Sequence, residues 1–243
     1  MFWNRKIKCP ITPADKSWIE DRLDWIDRKL LSLSEQKTIL PTPDFFGEKY
    51  DASMTAARLI FHKIGDCMGI DTYKIKLDFY QEGAGKSDRF INSSGKGTLG
   101  LYSGNPFQQD IQIEIQSLKQ AERLVAVMAH ELSHHFLISQ RNIRIEGIEE
   151  EYITDLLTIV FGFGIFMGNS KFIFQQWQDA DGWQGWSTSS SGYLPQPVIA
   201  YALAELEVRK GALELPDWTK YLKRDFKGDF KRSMKYILQE MSS

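Results

Sequence analysis

Residues 121–135 read AERLVAVMAHELSHH, and residues 149–166 read EEEYITDLLTIVFGFGIF. Around the first stretch, Leu124, Val125, Val127, Met128, Leu132 and Leu137 form an apolar stripe without Gly or Pro, which predicts a helix over Gln116–Gln140. Inside it, His130-Glu131-Leu132-Ser133-His134 is an HExxH run. Residues i and i+4 lie on one helix face about 5–6 Å apart, so two imidazoles there can grip one metal ion. Glu131 points toward the same open side, where its carboxylate can take a proton from metal-bound water. Burying His, Glu and His among Val, Met, Leu and Phe costs free energy unless they are paired or metal-bound.

Three fixed letters arise by chance in roughly one chain of this length in a couple of hundred, so the third ligand has to decide. No His follows His135, which excludes a third His in the pattern HExxHxxGxxH. Carboxylates remain, and Glu149, Glu150 and Glu151 open a second apolar helix predicted over Glu149–Phe166. Glu151 and Asp155 are again i and i+4. That fits Glu151 as third metal ligand, with Asp155 accepting the free ring N–H of His130 and setting its tautomer. Glu149 and Glu150 stay open as alternative ligands; Glu151 is preferred because it alone of the three has an acid four residues on. The plainer alternative is that the acidic trio merely complements the helix dipole.

HExxH followed after sixteen residues by ExxxD on the next helix resembles the gluzincin group of zinc metallopeptidases, of which thermolysin is the familiar member. The stretches HELSHH, TDLLTIVFGFGIF and SGYLPQP are also similar to those of a group of uncharacterised bacterial HExxH proteins. The resemblance covers about residues 110–168, and the chain departs from thermolysin in being shorter, without an obvious large C-terminal helical domain. It implies an α+β, zincin-like fold: a small mixed sheet packed on the HExxH helix and a second Glu-bearing helix, with further N-terminal and C-terminal helices. It implies a Zn²⁺ cofactor held by His130, His134 and Glu151, with Asp155 behind His130. The activity it implies is hydrolysis of a peptide or protein by zinc-bound water, with Glu131 as general base. The developing oxyanion usually needs a donor beyond the metal, for which Tyr193 and His135 are the candidates. Two other readings stand beside this one: a catalytically silent zincin-like module that binds or regulates, and a metal-dependent hydrolase of a non-peptide amide.

The rest of the 243-residue chain supplies the frame. With 42% hydrophobic and 26% charged residues it reads as globular, and a net charge of -2 gives no global case for binding nucleic acid. Two Cys make no disulfide framework, and the N-terminus has no secretory h-region, so the expected location is the cytoplasm. The longest apolar stretch, Leu156–Met167, falls short of the roughly 20 residues that span a bilayer and reads as a buried helix. One domain over 1–243 is expected, with 1–72 as a possible helical subdomain; the oligomeric state is left open.

Helices are predicted over Pro13–Leu33, Asp51–Met68 and Pro197–Lys210, with a basic amphipathic helix at the C-terminus. Tyr73, Ile75, Leu77 and Phe79 alternate with polar residues as a strand, and Thr98–Tyr102 and Ile111–Ile115 read as two more. Ile111–Ile115 is a candidate exposed edge for pairing with an extended peptide. Glu82–Ser87 ends like a phosphate loop, but Tyr80 stands where its first Gly belongs, so Gly83–Gly97 reads as a surface loop. His62 reads as structural, Cys67 as a buried thiol, and Cys9 as a remote candidate to cap the zinc. Trp177, Trp183 and Trp186 are candidates either for a substrate cleft or for packing.

Overall fold

Thr12 starts the first helix: its hydroxyl accepts the Asp15 N–H, Pro13 opens the first turn, and α1 runs over Pro13–Lys29. The computed structural model describes residues 7–47, 50–81, 100–105, 108–170 and 193–242. The expected loop Gly83–Gly97 and Trp177, Trp183 and Trp186 lie outside the described residues. Ile19, Leu23 and Ile26 make the buried stripe of α1. The helix stops before the predicted Leu33, which opens a 3₁₀ turn instead, its N–H held by Asp27 Oδ1 at 2.8 Å.

A short turn of helix, α2 (Pro43–Phe46), precedes α3 (Met54–Met68). Ser53 caps α3 by accepting the Ala56 N–H, and Gly69 ends it at φ +68°. Ala57, Ile60, Phe61, Ile64 and Met68 face the core. Cys67 is exposed, which corrects the expectation of a buried thiol: Ile64 and Met68 mark the inward face, and position 67 falls off it. His62 accounts for itself structurally, with Nδ1 2.8 Å from Thr72 Oγ1 and its ring stacked on Tyr73. Tyr73 therefore sits in a 3₁₀ turn (Thr72–Lys74) rather than in the expected strand.

Among the described residues the sheet has three strands, β1 (Lys76–Tyr80), β2 (Gly100–Asn105) and β3 (Gln108–Glu114), in the order β1-β3-β2. β1 runs parallel to β3, pairing Leu77 with Ile111, and β2 runs antiparallel to it, pairing Tyr102 with Ile111. This overturns the expectation that Ile111–Ile115 is an edge: β3 is the central strand, and Ile115 already belongs to the following 3₁₀ turn. The alternating isoleucines report which face of the strand is buried; they carry no information about whether its N–H and C=O groups are free.

After that turn, α4 (Ala121–His135) crosses the centre of the protein, shorter at its start than the predicted Gln116–Gln140, and continues into a π turn (Phe136–Gln140). Every residue from Arg123 to His135 is buried, so α4 is wrapped on all sides. α3, α5 and the sheet pack around it. α5 (Ile148–Thr158) continues through a π turn to Ser170, and this whole stretch is long and apolar enough to cross a bilayer. Here its most apolar part is entirely buried inside the protein, as the sequence predicts. Finally α6 (Gln196–Arg209) and α7 (Arg224–Met241) pack on one another, with Phe226, Phe230, Met234 and Ile237 turned inward. Cys9 is half-buried and shares its surroundings with Tyr201 and Tyr236 of these two helices. The architecture is thus α+β: a small mixed sheet, α3 and α5 pack on the HExxH helix, and α1 packs on α5 and α6.

Gly162 breaks the helical path of α5 at φ +99°, and its carbonyl accepts the Ile39 N–H at 3.0 Å. A Cβ there would come within 2.0 Å of the Lys37 carbonyl oxygen, which is backbone and cannot step aside. Gly162→Ala is therefore expected to destabilise the fold by about 3 kcal/mol or more, combining positive-φ strain with a backbone clash. Chemical denaturation of the two proteins checks it; equal midpoints and slopes would contradict the close approach.

Candidate metal centre

Small hydroxyl residues bring α4 and α5 together. Ser133 donates to the Ala129 carbonyl at 2.9 Å and lies 3.1 Å from Thr158 Oγ1, all of it buried. Thr158 in turn donates to the Thr154 carbonyl. The close seam puts the first turn of α5, with its three glutamates, beside His130 and His134.

There the trio divides. Glu149 turns away to Arg22 of α1, whose Nε donates to its Oε1 at 3.0 Å. Glu150 Oε1 lies 3.2 Å from His134 Nδ1. Glu151 Oε2 lies 3.2 Å from His130 Nε2 and 3.5 Å from His134 Nε2, and the two Nε2 atoms are 3.2 Å apart. Four-coordinate zinc with bonds of about 2.0–2.1 Å has ligand–ligand edges of about 3.3–3.4 Å. The His130, His134 and Glu151 donors thus form one face of a tetrahedron of the right size, and they are the group able to hold a metal ion among the described residues.

The surrounding groups prepare that face. Asp155, fully buried, accepts His130 Nδ1–H at 3.1 Å, so Nε2 is the nitrogen that a metal ion would take. Its other oxygen accepts the Leu194 N–H at 2.8 Å, and this bond ties the segment carrying Tyr193 to α5. The Tyr193 ring lies 5.3 Å from the His130 ring.

No known protein family, curated protein or solved structure matches this chain.

The charge balance at the centre favours a cation. Burial alone would lower the pKa of His130, but its bonds to Asp155 and Glu151 outweigh that and raise it to about 10. At His134, burial is likewise outweighed by Glu150 and Glu151, and the value rises to about 9. Burial pushes the Glu151 carboxyl up, and the two histidines pull it well below the usual carboxylate range. Three carboxylates facing two imidazoles make a pocket that draws either protons or a metal cation. Glu151 is 37% exposed while both histidines are nearly covered, so the cluster opens to solvent on the glutamate side.

Glu131 is 5% exposed and shares the electrostatic surroundings of the Tyr193 hydroxyl with Glu151 and Asp155. Burial and then these carboxylates push the Tyr193 phenol far up, so it remains a protonated donor. Of the two oxyanion candidates, Tyr193 is therefore at the centre. His135 is buried, which depresses its pKa, and it is not one of the three clustered donors. Sequence reasoning misses Glu150 and Thr154 as neighbours of His134 Nδ1. The available signal is that a second liganding imidazole needs an acceptor just as the first does.

Proposed function

We propose that this chain is a zinc-dependent metallopeptidase of gluzincin type, with His130, His134 and Glu151 holding the metal. The observation that carries the reading is the triangle of donors, sized for zinc, open on one side and flanked by a buried carboxylate that is not part of it. A zinc ion in such a site supplies Lewis-acid polarisation of a carbonyl and a water acidified to near neutrality. Glu131 accepts the proton that attack on the peptide carbonyl releases, and then delivers it to the departing amine nitrogen. The Tyr193 hydroxyl donates to the carbonyl oxygen as negative charge builds there. Asp155 serves both events, holding the His130 tautomer on one side and the Tyr193 segment on the other.

Metal analysis of the purified protein, joined to digestion of a broad peptide mixture, tests the proposal. About one equivalent of zinc per chain is expected, with new peptide termini that disappear on chelation and return on zinc addition. A stoichiometric metal without cleavage of any peptide would favour the silent binding module. Metal-dependent release of an amine from simple amides, with peptides untouched, would favour the non-peptide hydrolase.

A further inference from the structure

The second histidine has a support of its own. His134 Nδ1 faces two oxygens from α5: Glu150 Oε1 at 3.2 Å and Thr154 Oγ1 at 3.3 Å. The Thr154 hydroxyl has one proton, and it goes to the Glu150 carbonyl at 2.8 Å, so toward the imidazole this oxygen only accepts. The Glu150 carboxylate can likewise only accept. Two acceptors converging on one ring nitrogen require that nitrogen to carry a proton, so Nε2, turned toward His130 Nε2 and Glu151, is the nitrogen whose proton a metal ion would displace. Because Thr154 is bonded to the backbone of Glu150 itself, the two acceptors are held in register by one turn of helix.

We infer that Glu150 and Thr154 are positioning residues for His134, fixing its ring and tautomer for metal binding as Asp155 does for His130. The inference rests on the metal-centre reading above and goes beyond it by giving the glutamate next to the metal-binding one a separate task. Within one and a half turns of α5, Glu150, Glu151, Thr154 and Asp155 then supply one ligand and the supports of both histidine ligands. The carboxylate at 150 adds a full negative charge beside the imidazole, which strengthens Nε2 as a donor to a cation in a way a neutral amide does not.

The test is zinc affinity, measured by chelator competition on the full chain, for wild type, Glu150→Ala, Glu150→Gln, Thr154→Val and the double variant Glu150→Ala/Thr154→Val. Removing an outer-shell partner typically costs 10- to 100-fold in affinity. Glu150→Ala is expected to fall in about that range and the double variant below it. Glu150→Gln, which can still offer an oxygen, should recover part of the loss. Nitrogen-15 NMR of the zinc-loaded proteins gives a readout that general destabilisation does not move. Wild type should show two protected imidazole Nδ1–H signals, and the double variant should lose the one from His134. Zinc affinities within twofold of wild type across the series, with both signals kept, would overturn the inference while leaving the metal centre intact. A wild-type chain that binds no zinc would instead remove the reading beneath it.

Discussion

Glu151→Ala should lose tight zinc binding while keeping its fold. Apparent free energies for protein zinc sites run to about 10–16 kcal/mol, so one of three protein donors carries roughly 3–5 kcal/mol. That is a weakening of about 10²- to 10⁴-fold. The fold should survive because Glu151 sits on the solvent side of the cluster, 37% exposed, whereas the packing between α4 and α5 runs through Ser133, Thr154 and Thr158, all fully buried. The matched control is Glu149→Ala, two residues away on the same helix turn, whose carboxylate pairs with Arg22. It removes the same charge from the same first turn, so any loss through the helix dipole appears in both variants. Thermal unfolding with and without zinc reports the difference: a ligand at a hundred times its dissociation constant stabilises by about 2.7 kcal/mol. Wild type and Glu149→Ala should show that shift and Glu151→Ala should not. Equal zinc-dependent shifts in all three would mean that the triangle of donors is not where the metal sits.

The elements around this centre were legible to different depths. The HExxH helix was readable because its signal is local: a stripe of large apolar residues with two histidines one turn apart. The acidic helix was readable for the same reason, and its i, i+4 acids pointed to the faces that meet α4. The partner of His134 was not. Neighbouring helix residues point about 100° apart, so which glutamate faces which imidazole depends on how α5 is rolled against α4, and the small residues of the seam set that roll. β3 failed for a related reason, since its isoleucine alternation is the same in a central strand as at an edge. Cys67 and Tyr73 show how a single position decides. One step off the Ile64–Met68 face exposes the thiol, and one 3₁₀ turn before β1 stacks the tyrosine on His62. The break at Gly162 lay inside an apolar run where periodicity has little to say, because every side of that helix is covered.

Glu131→Gln should separate the proposed catalysis from metal binding. The substitution keeps size and hydrogen-bonding capacity and removes the ability to accept a proton, at a residue outside the three clustered donors. Zinc content and affinity should stay within about threefold of wild type. Peptide hydrolysis should fall by about 10²- to 10⁴-fold, the usual contribution of a positioned acid–base group. Tyr193→Phe should fall less far in kcat, by no more than about 10²- to 10³-fold for one lost oxyanion donor, with the metal again retained. The contrast bears on what kind of protein this is. Holding a metal with His130, His134 and Glu151 does not require the Glu131 carboxylate. A module that merely bound zinc would be indifferent to its loss. A Glu131→Gln protein that still cleaves peptides at the wild-type rate contradicts the assigned base. One that loses its zinc along with its activity places Glu131 in the binding set, and the division of labour between the triangle and its neighbour fails with it.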